Sequence, residues 1–188
     1  HRLHSVVWVC CGCRRHDGAA CHKTVQVMSQ RDKINVLFVC MGNICRSPMA
    51  EALFVDQVER AGLSERFHVD SAGTGGWHAG EPPDARMTAT AQIRGISMSG
   101  AARQVTLDDL GAFQYVLCMD SDNLHNVRAL GDGDATIELM LSYHKQCGET
   151  DVPDPYYGGE EGFDRVYELL DVSTAALLKS LCARHIES

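Results

Sequence analysis

The stretch INVLFVC, residues 34–40, runs apolar and Val/Ile-rich into Met41-Gly42-Asn43 and then into a helical pattern. A run of this kind reads as a strand buried on both faces that turns tightly into a helix. Residues 48–61 place Met49, Ala52, Leu53, Val55 and Val58 at helical spacing, with Ser47 suited to the N-cap, Pro48 to the first helical position and Gly62 to the stop. Further strands are predicted over 67–73, 115–119 and 136–140, and helices over 84–95 (ending at Gly95) and from Ser121 or Asp122. A long closing helix over about 160–183 carries Phe163, Val166, Leu169, Leu170, Ala176, Leu177 and Leu181 on one face. This alternation predicts an α/β fold: a doubly wound, four-stranded parallel sheet with helices on both faces. Ligands bind beyond the carboxyl ends of such strands, where Cys40 and Asp120 stand.

A chain of 188 residues suits one domain, and no apolar run approaches bilayer length, so no membrane span is expected. The formal charge of −8 argues against nucleic acid as a partner. Residues 1–33 nevertheless hold six Lys and Arg against two Asp, while the remaining 155 hold eleven against twenty-three acidic residues. Residues 1–33 therefore read as a separate, leader-like or disordered extension, and 34–188 as the folded domain. Cys10, Cys13, Cys21 and His22 are metal-ligand types, but the adjacent second pair suits a tetrahedral site poorly. Neither metal nor organic cofactor is expected. The nine cysteines are odd in number and scattered, which indicates free thiols in a reducing, cytoplasmic setting.

A loop leaving a strand and entering a helix turns several backbone N–H groups toward one point, forming an anion nest. Gly42 permits the curvature, and Arg46 adds a planar fork matched to two phosphate oxygens. A thiol in such a field favours its thiolate, and the Ser47 hydroxyl is placed either to cap the helix or to hydrogen-bond that sulfur. Cys40, Met41, Gly42, Asn43, Ile44, Cys45 and Arg46 thus suit attack of sulfur on phosphorus with the equatorial oxygens held. Displacing an alkoxide or phenoxide also needs a general acid. Asp154, between Pro153 and Pro155 and followed by Tyr156 and Tyr157, offers one. A Walker loop lacks its Lys here, and a Rossmann fingerprint lacks two of its glycines.

Together, VCMGNICRSPMAE, DSAGTGGWHAGEPPDARM (70–87) and DPYYGG (154–159) resemble the low-molecular-weight protein tyrosine phosphatases over about 34–185. The resemblance implies hydrolysis of phosphotyrosine or aryl phosphomonoesters, including acid phosphatase activity, through a phosphocysteine intermediate. It assigns Cys40 as nucleophile, Arg46 as phosphate ligand, Asp154 as acid then base, and Asn43, Ser47, Ser71 and Asp120 as supports. Trp77, Tyr156 and Tyr157 would wall the cleft, and Cys45 would trap an oxidised Cys40 as a disulfide. Gly100 stands where many members carry a His behind the loop. The expected partner is a tyrosine-phosphorylated protein or small aryl phosphate, acted on by a monomer, with phosphoarginine also open. Rival readings are an arsenate reductase of the same fold, which needs further relay thiols, and a non-catalytic phosphate-binding or thiol redox-sensing module.

Overall fold

The computed structural model describes residues 33–187, so the Cys10–His22 group and almost all of the extension lie outside the described residues. The elements run β1 (Ile34–Cys40), α1 (Arg46–Arg60), β2 (Phe67–Gly73), α2 (Ala85–Ile93), α3 (Asp109–Ala112), β3 (Tyr115–Cys118), α4 (Ser121–Arg128), β4 (Thr136–Leu139) and α5 (Glu160–His185). The four strands form one parallel sheet in the order β2-β1-β3-β4. The chain winds outward from β1 to β2, then crosses back to build β3 and β4 on the other side. The reversal lies between β1 and β3, the place in an open α/β sheet where a crevice forms.

Strand β1 is apolar throughout because both of its faces are covered. Val36, Phe38 and Cys40 face the core made with α1 and α5, and Leu37 and Val39 face the one made with Leu110, Phe113 and Val127. On the first face Phe54 is fully buried, edge-on to Phe38 at 5.7 Å and to Phe67 at 5.5 Å.

The sequence signals place the ends well, with two corrections. Gly62 follows α1 with φ +70°, a left-handed stop that glycine adopts without steric cost, and Asp84 and Asp120 cap α2 and α4. Of the two uses the sequence offers Ser47, the cap is overturned and the bond to sulfur is found: α1 begins at Arg46 after Cys45 with no side-chain cap, and the Ser47 hydroxyl faces Cys40 Sγ and Ala72 O at the ends of β1 and β2. Pro48 therefore sits third in the helix, still within the turn whose N–H groups need no carbonyl. On α5 the buried row includes Ser173 and Thr174, which donate to the carbonyls of Leu169 and Leu170 at 2.7 Å each, whereas Ala176 is half-buried. The four-residue helix α3 was not anticipated. Among the described residues no helix is long and apolar enough to cross a membrane.

Truncating Phe54 removes a ring that three secondary elements share. Phe54→Ala is expected to cost about 3–5 kcal/mol in urea denaturation, with little change in m. A loss below about 1 kcal/mol would mean that this core re-collapses around the gap.

Candidate active site

The loop between β1 and α1 is held by its carbonyls. Thr74 N donates to Cys40 O at 2.8 Å, Gly75 N to Met41 O at 2.9 Å, Asp84 N to Ile44 O at 2.8 Å and Met49 N to Cys45 O at 3.2 Å. Strand β2 comes so close that a Cβ on Gly73 would lie 2.8 Å from Met41 O and 3.1 Å from Asn43 N. Only glycine fits there.

Asn43 is the hinge of the loop. It is the one described non-glycine residue with positive φ, at 56°, a conformation asparagine tolerates. Its buried amide donates to Ser47 Oγ and Ser71 Oγ, both at 2.9 Å, and accepts from Arg103 N at 2.9 Å. Its backbone N lies 3.3 Å from Cys40 Sγ. Ser47 Oγ is 3.1 Å from the same sulfur and 3.2 Å from Ala72 O, so its proton is shared between them, while its oxygen accepts from the Asn43 amide rather than from a helix N–H. Ser71 in turn donates to Glu51 Oε2 at 2.6 Å. The sequence reading missed Glu51. Its signal is a carboxylate one helical turn after Ser47, beside the buried face of α1.

Arg46 is 2% exposed. Nη1 donates to Asp120 Oδ2 at 2.6 Å and to Val152 O at 3.2 Å, and Nη2 to Asp154 Oδ2 at 2.6 Å. Burial opposes its charge, yet Cys40, Asp154 and Asp120 hold the guanidinium further above its already high range. Asp120 does this with one oxygen while the other accepts from Asn123 N at 2.7 Å and caps α4.

Above the loop lies a cleft of about 180 Å³, lined by Cys40, Arg46, Trp77, Asp154, Tyr156 and Tyr157, with Met41, Gly42, Ile44 and Cys45 at its base. Asn43 is absent from the lining because its side chain points behind the loop. His78, which sequence reasoning missed, joins the wall and is fixed by Glu81 Oε2 at 2.7 Å from Nδ1. Gly100, with φ +105°, borders a hollow on the loop's far side with Glu51, Asp70 and Ser71. The network closes there through Glu51 and the backbone of Arg103, with no side chain from position 100.

Burial, reinforced by Asp84 and Cys40, pushes the Cys45 thiol up to about 12. Burial pushes the Cys118 thiol to about 12 as well, but Cys118 is fully buried in β3 and does not line the cleft as Cys45 does, a poor setting for a relay thiol.

A family model described as low molecular weight phosphotyrosine protein phosphatase matches residues 35–186. Low molecular weight protein-tyrosine-phosphatase YfkJ of Bacillus subtilis is 44% identical over 151 residues, 79% of this chain and 96% of that protein. A protein tyrosine phosphatase structure from Entamoeba histolytica superposes with TM-score 0.78 at 36% identity, covering 81% of this chain and 99% of that one. A Drosophila arginine phosphatase superposes with TM-score 0.74 at 32% identity, covering 77% and 96%.

Burial, with Asp70 adding to it, lifts the Glu51 carboxyl above the usual range, against the Ser71 hydroxyl that favours its ionised form. The folded state thus binds this proton more tightly than the unfolded chain does. This contribution to stability is full below the ordinary carboxylate range and is lost as pH rises through the raised value. Glu51→Gln, which can still accept from Ser71, is expected to flatten the fall in urea-denaturation stability between acidic and neutral pH. An unchanged slope would assign that fall to another group.

Proposed function

The chain belongs to the low-molecular-weight phosphotyrosine protein phosphatases, and from that we propose that it hydrolyses phosphotyrosine and related aryl phosphomonoesters through a phosphocysteine on Cys40. The observation that carries this reading is the sulfur of Cys40 at the floor of the cleft, with Asn43 N and Ser47 Oγ donating to it and the Arg46 fork beside it. Those two donors stabilise negative charge on sulfur and make it a better leaving group in the second step.

In the first step Cys40 Sγ forms a bond to phosphorus while the bond to the leaving oxygen breaks. Arg46, exchanging its bond to Asp154 for the substrate, holds the equatorial oxygens together with the backbone N–H groups of 41–46. Asp154, in its protonated form, gives its proton to the departing oxygen. In the second step a water attacks phosphorus, Asp154 takes its proton, the S–P bond breaks and Cys40 leaves as thiolate with inorganic phosphate. Ser47, Ser71 and Asp120 act through the loop and Arg46, and Trp77, Tyr156 and Tyr157 receive the substrate's ring.

The aromatic walls favour an aryl phosphate, and the Drosophila relative makes phosphoarginine the comparison substrate. A tyrosine-phosphorylated protein or a small aryl phosphate acted on by a monomer in a reducing, cytoplasmic setting fits the free thiols of the described domain. Residues 34–188 form the catalytic unit in this reading, and Cys45 acts as the thiol that captures an oxidised Cys40.

Cys40→Ser is expected to abolish hydrolysis of 4-nitrophenyl phosphate measured with a metal chelator present. Asp154→Ala is expected to lose ~100-fold or more in kcat/KM on phenyl phosphate, but far less on 4-nitrophenyl phosphate, whose oxygen leaves without a proton. Activity that survives Cys40→Ser would overturn the reading.

A further inference from the structure

Asp84 and Arg86 have no part in the chemistry above, yet they join the loop carrying the sulfur to the segment carrying the acid. Asp84 N donates to Ile44 O at 2.8 Å, which pins the start of α2 to the loop. The Asp84 carboxylate accepts from Arg86 N at 2.8 Å, from its Nε at 3.1 Å and from its Nη2 at 2.8 Å. The remaining arm of the guanidinium, Nη1, donates to Tyr156 O at 3.2 Å. The guanidinium carbon sits 4.7 Å from the Phe163 ring centre and 5.4 Å from that of Tyr156. Tyr156 N donates to Asp154 Oδ1 at 3.1 Å. One line of contacts therefore runs Ile44, Asp84, Arg86, Tyr156, Asp154.

Residues 151–159 form no helix or strand. Asp154 is tied to Arg46 in the free protein, but a bound phosphoryl group competes for that fork. The Arg86 contact lies outside the competition and persists when Arg46 turns to substrate. Arg86 is exposed, so its contacts contribute little to global stability. Their value is geometric, since proton transfer depends on placement to within about 1 Å.

We propose that Arg86 is a positioning residue: anchored on Asp84, it holds the Tyr156 carbonyl and thereby sets the reach of the Asp154 carboxyl to the leaving-group oxygen above Cys40. The inference rests on the phosphatase reading. Of the events in the first step, formation of the S–P bond and cleavage of the P–O bond do not use Arg86. Only the transfer of the proton from Asp154 to the leaving oxygen does.

The test uses the full chain and a series of aryl phosphates from 4-nitrophenyl to phenyl phosphate, read as kcat/KM. Arg86→Met keeps an unbranched stem over Phe163 and removes every donor, and Arg86→Lys restores one donor without the fork. Arg86→Met is expected to lose about tenfold or more on phenyl phosphate and under about threefold on 4-nitrophenyl phosphate, with Arg86→Lys recovering part of the loss. With Asp154→Ala already in place, Arg86→Met is expected to change phenyl phosphate hydrolysis by less than about twofold, because the group it positions is gone. Equal losses along the series, or the same loss in the Asp154→Ala background, would overturn the proposal and leave Arg86 a structural contact. Melting curves establish that each variant folds. If Arg86→Met does not, Arg86→Lys and Asp84→Asn carry the same comparison, with Asn keeping the helix cap. Absence of Cys40-dependent hydrolysis in the unaltered chain overturns the phosphatase reading as well, so the two failures are distinct.

Discussion

A guanidinium charge taken out of water must be answered in full by the protein around it, and the whole carboxyl edge of the sheet is arranged to do so for Arg46. Its partners come from separate parts of the chain: Asp120 just past β3, and Val152 and Asp154 on the connection into α5. Bringing β3 beside β1 and closing α5 over the sheet therefore build the site in the same act. The two carboxylates are held unequally. Asp120 is pinned by its cap on α4, whereas Asp154 hangs on irregular backbone and is twice as exposed, 35% against 18% for the side chains. One suits a fixed counter-charge and the other a group that changes partners.

The anion site works against the overall charge of the chain, which is −8. In the proposed reading the means are short-range and fixed: the backbone N–H groups of 41–46, the buried Arg46 and the positive end of α1. Asn43 holds these in place by accepting an unusual backbone conformation and filling its side-chain capacity behind the loop. Arg103 supports the same side, its backbone bound to Asn43 and its guanidinium paired with Asp70 and Asp109.

The parallel sheet was legible in the sequence because burial on two faces leaves an unbroken apolar run, and turns announce themselves with Gly, Pro and Asp; the order of its strands was not, since it depends on pairings between distant segments. Cys40, Arg46 and Asp154 were legible because their chemistry is rare at a strand end or between prolines. Glu51, Asp84, Arg86 and His78 were not. The first three are bonded to a neighbour distant in sequence, Ser71, Ile44 or Tyr156, and a local pattern of charges on a helix looks the same whether or not that neighbour exists. His78 bonds locally to Glu81, and nothing in that pair shows that the cleft lies beside it. The start of α1 was left between two readings for a related reason: a serine before a proline suits a cap, and only the fold shows that its hydroxyl lies 3.1 Å from a sulfur instead.

Strand β2 is an edge of the sheet, yet its last residue, Gly73, moulds the loop that surrounds the sulfur. The outer side of that glycine is not left open: Gly73 N donates to Arg103 O and Val105 N to Gly73 O, both at 2.8 Å. Arg103 N also donates to Asn43 Oδ1 at 2.9 Å, so residues 103–105 reach the same loop by two routes. The wall around the sulfur is thereby two layers of chain thick.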